Sequence, residues 1–391
     1  MIDLARAREL TPGTANTVHL NNAGASLPST PVLEATVGHL RLEAEIGGYE
    51  AAARAAENVE AAYDSAARLL NCARDEIAIV DSATRAWDLA FYAIPFRPGD
   101  RILTSKAEYA SNFIAYLQVA RRHGVSVEVV PNDGLGRLSV DALRAMMDER
   151  VRLISVTHIP TNGGLVNPAA EIGKIAAEAG VLYLLDACQS VGQIPVDVEQ
   201  IRCDMLSTTG RKYLRAPRGT GLLYVRRSVL DQLDPPFLDL RSARWTAPDR
   251  FEIQPGARRF ENWEYGVAGR VGLATAIEEA LAWGLEDIRD SVYLLGETLR
   301  ERLAAVPGCT VRDVGAERCG IVTFTLDGVA AETIKEYLAE RRINVSVSRA
   351  PSTLLDMTDR DISELVRASV HYYNSEEELA RFCEELTRLR T

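Results

Sequence analysis

Lysine is nearly missing from this chain. Lysine and arginine together number 44 in 391 residues, yet lysine stands at Lys106, Lys174, Lys212 and Lys335 alone. Positive charge is in deficit too: the formal net charge is −11, which argues against nucleic acid or an anionic membrane as the main partner. No apolar run reaches the roughly 18 residues of a membrane helix, so no membrane association is expected. The six cysteines (Cys72, Cys188, Cys203, Cys309, Cys319, Cys383) show no Cys-x-x-Cys spacing, and the five histidines are equally scattered. Reduced thiols are expected, with neither disulfides nor a metal centre. The opening "MIDLARAREL" lacks the apolar core of a secretion signal, and a cytoplasmic location is expected.

What is present is a globular composition, 47% hydrophobic and 25% charged, sufficient for two or three domains. From about residue 52, helical and apolar strand-like segments alternate: "EIAIV", "DRILTS", "VSVEVVP", "VRLISVTHI", "VLYLLDA", "CDMLSTT" and "GTGLLYVRR" read as strands. Strands apolar throughout, alternating with helices, predict an α/β fold with a mostly parallel sheet covered on both faces. After Trp263 comes a long helical stretch, "VGLATAIEEALAWGLEDIRDSVYLLGETLRERLAAV", then shorter strands and helices of a smaller α+β unit. The expected division is an N-terminal segment 1–20, a large domain 21–280 and a small C-terminal domain 281–391.

Ligands of parallel sheets gather at the carboxyl ends of strands. There the chain places "DSATRAW", "KAEYASN", "PTNGG", "DACQS" and "GRK". Taken singly, each has a plain reading: a Ser/Thr helix cap, half-buried packing of Tyr109, a turn cap by Asp186. The lysine in "STTGRKYLRAPRGTG" is harder to explain plainly. Lys212 follows Arg211 in a chain that otherwise uses arginine for charge, and lysine, unlike arginine, can lose its proton beside another cation. A carboxylate for a protonated pyridine nitrogen, an aromatic for a ring, a phosphate loop and a lysine for a Schiff base are the parts of a pyridoxal phosphate site.

The run "VLYLLDACQSVGQIPVDVEQIRCDMLSTTGRKYLRAPRGTGLLYVRR" resembles class V aminotransferases, the fold-type I pyridoxal phosphate group that includes cysteine desulfurases. The resemblance extends from "HLNNAGASLPSTPV" to "VRASVHYYNSEEEL". It implies a fold-type I large domain with a smaller C-terminal α+β domain, and a homodimer with shared active sites. It also implies pyridoxal 5'-phosphate bound to Lys212, with Asp186 at the pyridine nitrogen and Gln189 near the phenolic oxygen. Ala83, Thr84, Thr209 and Arg211 match phosphate positions. Tyr109 stands where most relatives stack a histidine, and Thr161, with Asn162 as its rival, stands near the phenolic oxygen. Arg367 matches the arginine that grips the substrate α-carboxylate; Asn22, Tyr49, Arg349, Trp263 and Glu264 are the other substrate-side candidates.

Two departures bear on the reaction. Desulfurases carry a catalytic cysteine in the region that reads "SVSRAPSTLLDMTDRDISELVRAS" here, without cysteine, and the "FE-x-G-T" segment reads "FENWEYGVAG". "EAEIGGYEAAA", the "EY-x-x-N" pattern and the "RK" pair resemble hercynylcysteine sulfoxide lyases and, more distantly, lincosamide-type enzymes that process cysteine S-conjugates. The expected activity is C–S β-elimination on a cysteine S-conjugate in natural-product or thiol metabolism. Transamination, epimerisation and decarboxylation-coupled deamination remain open, as does a non-catalytic cofactor-binding regulator or scaffold.

Overall fold

A strand that is apolar at every position needs cover on both faces, and the fold supplies it. The computed structural model describes residues 2–390. Seven strands form the central sheet: β1 Ile77–Val80, β2 Arg101–Thr104, β3 Ser126–Val129, β4 Val151–Thr157, β5 Leu182–Asp186, β6 Met205–Thr209 and β7 Gly221–Val225. Their order is β1-β7-β6-β5-β4-β2-β3. β7 runs antiparallel to both of its neighbours, while β2 to β6 pair in parallel. Side chains alternate between faces, so Tyr183 and Leu185 of β5 enter one core and Leu182 and Leu184 the other. The first core continues into the small domain through Val292, Ile321 and Val370. The second is built around Trp87, Phe91 and Tyr116.

Helix ends follow local chemistry. The helix Ala110–His123 stops at Gly124, whose φ of 70° and N–H bond to Ala120 O close the last turn. Arg121, Arg122 and His123 complement its dipole there. The long helical stretch after Trp263 is two helices, Val267–Trp283 and Leu285–Ala304, parted at Gly284 with φ 87°. The first packs on the large-domain helices Thr30–Ile46 and Ala56–Leu70, the second against the small domain. The boundary expected at 280 therefore falls inside a helix, and the backbone turns at Gly284. A hairpin, Ala243–Ala247 with Arg250–Ile253, was not expected; its charged and polar residues hide the strand period, and it leaves Trp245 and Phe251 exposed.

The small domain is an antiparallel sheet of β8 Cys309–Val311, β9 Ile321–Leu326, β10 Ser346–Arg349 and β11 Glu364–Ser369, in the order β8-β9-β11-β10. The N-terminal segment belongs with it. Val18–His19 pairs in parallel with Ile343–Asn344, and Asn21 bridges to Ser369.

Arg215, three residues beyond Lys212, ties these parts together. It is buried with φ 61°. Its guanidinium donates to Leu27 O at 2.9 Å, to Thr11 Oγ1 at 2.6 Å and to the Tyr372 hydroxyl, and lies 4.8 Å from the Tyr373 ring centroid. Removing a buried cation from such a network leaves several polar groups without partners. Arg215→Met should lower the unfolding free energy by about 3 kcal/mol in urea titration and speed tryptic cleavage at Arg6 and Arg8. A loss near zero, with unchanged cleavage, would contradict this role.

Candidate active site

Five strand ends open into one cavity. At the end of β1, Ser82 caps the helix Ala83–Tyr92, its Oγ accepting from Arg85 N–H at 3.1 Å. Ala83 and Thr84 at that helix N-terminus line the cavity, together with Thr209 and Arg211 after β6. Helix N–H groups, a hydroxyl and a guanidinium make an anion-binding end. Across the cavity, Asp186 closes β5. Its Oδ1 accepts from Cys188 N–H and its Oδ2 from the Asn112 amide, each at 2.9 Å. Lys212 lies between, with Nζ 3.3 Å from Cys188 Sγ. Tyr109 contributes a partly exposed aromatic wall.

All residues expected around the cofactor (Ala83, Thr84, Tyr109, Thr161, Asp186, Gln189, Thr209, Arg211, Lys212) line this one cavity. Of the two rivals, Thr161 lines the cavity and Asn162 does not. Asn162 turns its amide toward the small domain, donating to Ser352 Oγ at 2.7 Å and Thr353 Oγ1 at 2.9 Å. A second tie between the same parts is Lys106 Nζ to Asp359 at 2.7 Å.

The substrate-side expectations divide. Arg367 is buried beside the cavity wall, donating to Thr161 Oγ1 and, at 3.2 Å, to Thr161 O. Its Nε has no partner, and burial pulls its pKa down to about 10. The other candidates lie outside the cavity. Asn22 is fully buried, donating to Ser369 O at 2.7 Å and accepting from the Tyr373 hydroxyl, so its amide is a structural pin. Arg349 is largely exposed and paired with Glu332 at 2.7 Å. Tyr49, Trp263 and Glu264 share a separate surface cavity with Arg241 and Tyr265.

Sequence reasoning missed three residues of the site. Cys188 lines the cavity; burial raises its thiol pKa, opposed by Lys212. Asn112 lines it as well, four residues after Glu108 and on the same side of the chain. Glu108 lies behind it, fully buried, with its carboxyl pushed up to about 7 by desolvation. The "EYASN" segment held the signal for both, as an i,i+4 pair beside a strand end.

These residues fit pyridoxal phosphate. The anion-binding end, the carboxylate at the opposite end, the lysine between and the buried Gln189 Oε1 without a partner match a phosphate, a pyridine nitrogen, an aldehyde and a phenolic oxygen.

Comparison with known proteins gives the same fold. The family described as aminotransferase class-V matches residues 18–382. A probable cysteine desulfurase of Methanothermobacter thermautotrophicus is 28% identical over 378 residues, covering 95% of this chain and 94% of its own. The apo structure of a cysteine desulfurase from Thermococcus onnurineus superposes with a TM-score of 0.93 at 25% identity, covering 100% of this chain and 98% of that one. A C-DES mutant with glycine covalently linked to its PLP cofactor gives 0.87 at 25% identity, over 97% and 98%.

His158, next to the cavity, supports a pH prediction. Its backbone N–H donates to Asp186 O at 2.9 Å, and its buried Nδ1 has no partner. Desolvation lowers its pKa to about 4. The unfolded chain therefore binds a proton below about pH 6.5 that the folded one refuses, and stability falls as pH drops from there toward 4. Against His158→Gln, the wild type should lose an additional amount of about 3 kcal/mol over that range in urea titrations. Parallel pH profiles would contradict it.

Proposed function

From the premise that the chain belongs to the class V aminotransferase family, with pyridoxal phosphate as its cofactor, we propose that it is a C–S lyase that cleaves a cysteine S-conjugate by β-elimination. The observation that carries this reading is the segment between β10 and β11, Ala350–Ser363, which contains no cysteine. The thiol that does line the cavity, Cys188, is kept protonated by burial, and a protonated thiol is a poor acceptor of sulfur. A reaction that lets the sulfur leave as a small-molecule thiol needs no such acceptor.

The cofactor, when bound, supplies an electron-withdrawing ring that stabilises negative charge at the substrate Cα. Lys212 would hold it through Nζ, and the N-terminus of the helix Ala83–Tyr92, with Thr84, Thr209 and Arg211, would hold its phosphate. Asp186, its Oδ1 held by Cys188 N–H and its Oδ2 by the Asn112 amide, would face the pyridine nitrogen and pair with a proton there. Arg367 takes the substrate carboxylate: it is a buried guanidinium with an unpartnered N–H, and an acid there relieves its desolvation. Lys212 Nζ removes the Cα proton as general base. That C–H pair becomes the Cα–Cβ double bond, and the C–S pair leaves with sulfur. With one water the balance is thiol, pyruvate and ammonium.

Borohydride reduction of the loaded protein should fix the cofactor to the peptide containing Lys212. Lys212→Ala should lose both the label and turnover while still binding cofactor through its phosphate; label on Lys106 would sink the assignment.

Mass spectrometry after incubation with a panel of S-substituted cysteines tests the reaction. Equimolar pyruvate and thiol, without an added keto acid, is the expected result. Dependence on a keto-acid acceptor would make it an aminotransferase, and carbon dioxide with an aldehyde a decarboxylating deaminase. Arg367→Ala should raise KM about 100-fold, the loss of a charge-assisted bidentate contact of about 2.7 kcal/mol.

A further inference from the structure

Behind Asp186 lies a second buried carboxylate that the mechanism above does not use. Asn112 donates from its single amide nitrogen to Glu108 Oε1 at 2.8 Å and to Asp186 Oδ2 at 2.9 Å. An amide nitrogen carries two hydrogens, so each carboxylate takes one. Turning the amide over would aim its oxygen at two acids, which fixes its orientation. Glu108 is itself held from several sides: Thr157 N–H at 3.0 Å and Tyr109 N–H at 3.2 Å donate to it, and the hydroxyls of Thr104, Ser105 and Thr157 lie within reach. Thr157 pairs directly with Asp186 across β4 and β5, so the backbone that anchors Glu108 also carries the neighbouring strand end.

We infer that Glu108 and Asn112 are positioning residues for Asp186: Glu108 orients the Asn112 amide, Asn112 holds Asp186 Oδ2, and the negative charge of Glu108 reinforces a proton at the ring nitrogen that Asp186 faces. This rests on the preceding reading of Asp186 as the ring-nitrogen partner. The titratable groups facing Glu108 are Asp186 at the end of β5, Tyr116 on the helix Ala110–His123 that follows it and Tyr183 within β5. Among the described residues no cation pairs with it. Desolvation and the charge of Asp186 both push its carboxyl up, toward about 7, so its charge state changes within the working pH range.

Two measurements test the pairing. In apoprotein carrying carbon-13 carboxyl labels, the Glu108 resonance, identified by its loss in Glu108→Gln or, should that variant not fold, in Glu108→Asp, should titrate well above ordinary glutamates. Asp186→Asn should weaken its proton affinity at least threefold. In protein loaded with ring-nitrogen-15 cofactor, Asn112→Ala should make the ring nitrogen lose its proton about tenfold more readily than in wild type, with Asn112→Ser in between. The same variants should lower kcat with KM changed less than twofold. A packing role alone would lower stability and leave both titrations in place, and that outcome overturns the inference. If the protein takes up no cofactor, the reading of Asp186 falls. The carbon-13 coupling between Glu108 and Asp186 then upholds or overturns the pairing by itself.

Discussion

Thr157, Asp186 and Ser207 form one row across three parallel strands, and the site depends on that register. In a strand the side chains alternate, so a slip of one residue would exchange the faces of every side chain. Leu185 would leave its core and Asp186 would enter it, a buried acid without a donor. The apolar residues on both faces of β4, β5 and β6 resist such a slip twice over, because either core would reject it. The register is thus set by hydrophobic packing, and the polar site uses a geometry determined by residues that never touch it.

The preference for arginine has a structural counterpart. Arg270 spreads its guanidinium over the Tyr63 hydroxyl, Glu261 and Ile79 O; Arg300 does so over Asp313, Cys319 O and Ile321 O. A planar fork with five donors suits such buried junctions in a way that an ammonium does not. Arg367 differs from them: it is buried as they are, yet among the described residues its Nε–H has no partner and no acid pairs with it. Among these buried junction arginines, Arg367 is the one whose fork is not fully used.

The order of elements in the large domain and the residues around Lys212 were legible because they lie at the ends of strands with a clear apolar period. Asp186 closes such a strand, and Tyr109, Thr161 and Lys212 lie within five residues of the end of one, so position along the chain stood for position in space. Where the two part company, chain position is a poor guide. Arg349 finds Glu332 and Glu364 from other elements, and Asn22 finds Ser369 and Tyr373 from the far end of the chain. Cys188 has no Cys-x-x-Cys partner along the chain, and its contact with Lys212 depends on a turn between β6 and β7. The break at Gly284 was hidden because the residues on either side share the same helical composition.

The strand pairing at the N-terminus bears on the order in which the protein can form. Val18 and Leu20 bond to Arg342 O and Asn344 O, and Ser369 donates back to Leu20 O. On the ribosome, these partners emerge more than three hundred residues after the strand they receive. The small sheet cannot be completed, nor Asn22 satisfied, until Ser369 has been made. Contacts so distant along the chain form slowly, and until they do the first segment is an open edge in need of shielding. Val18 and Leu20, made long before their partners, are among the last residues to find their place.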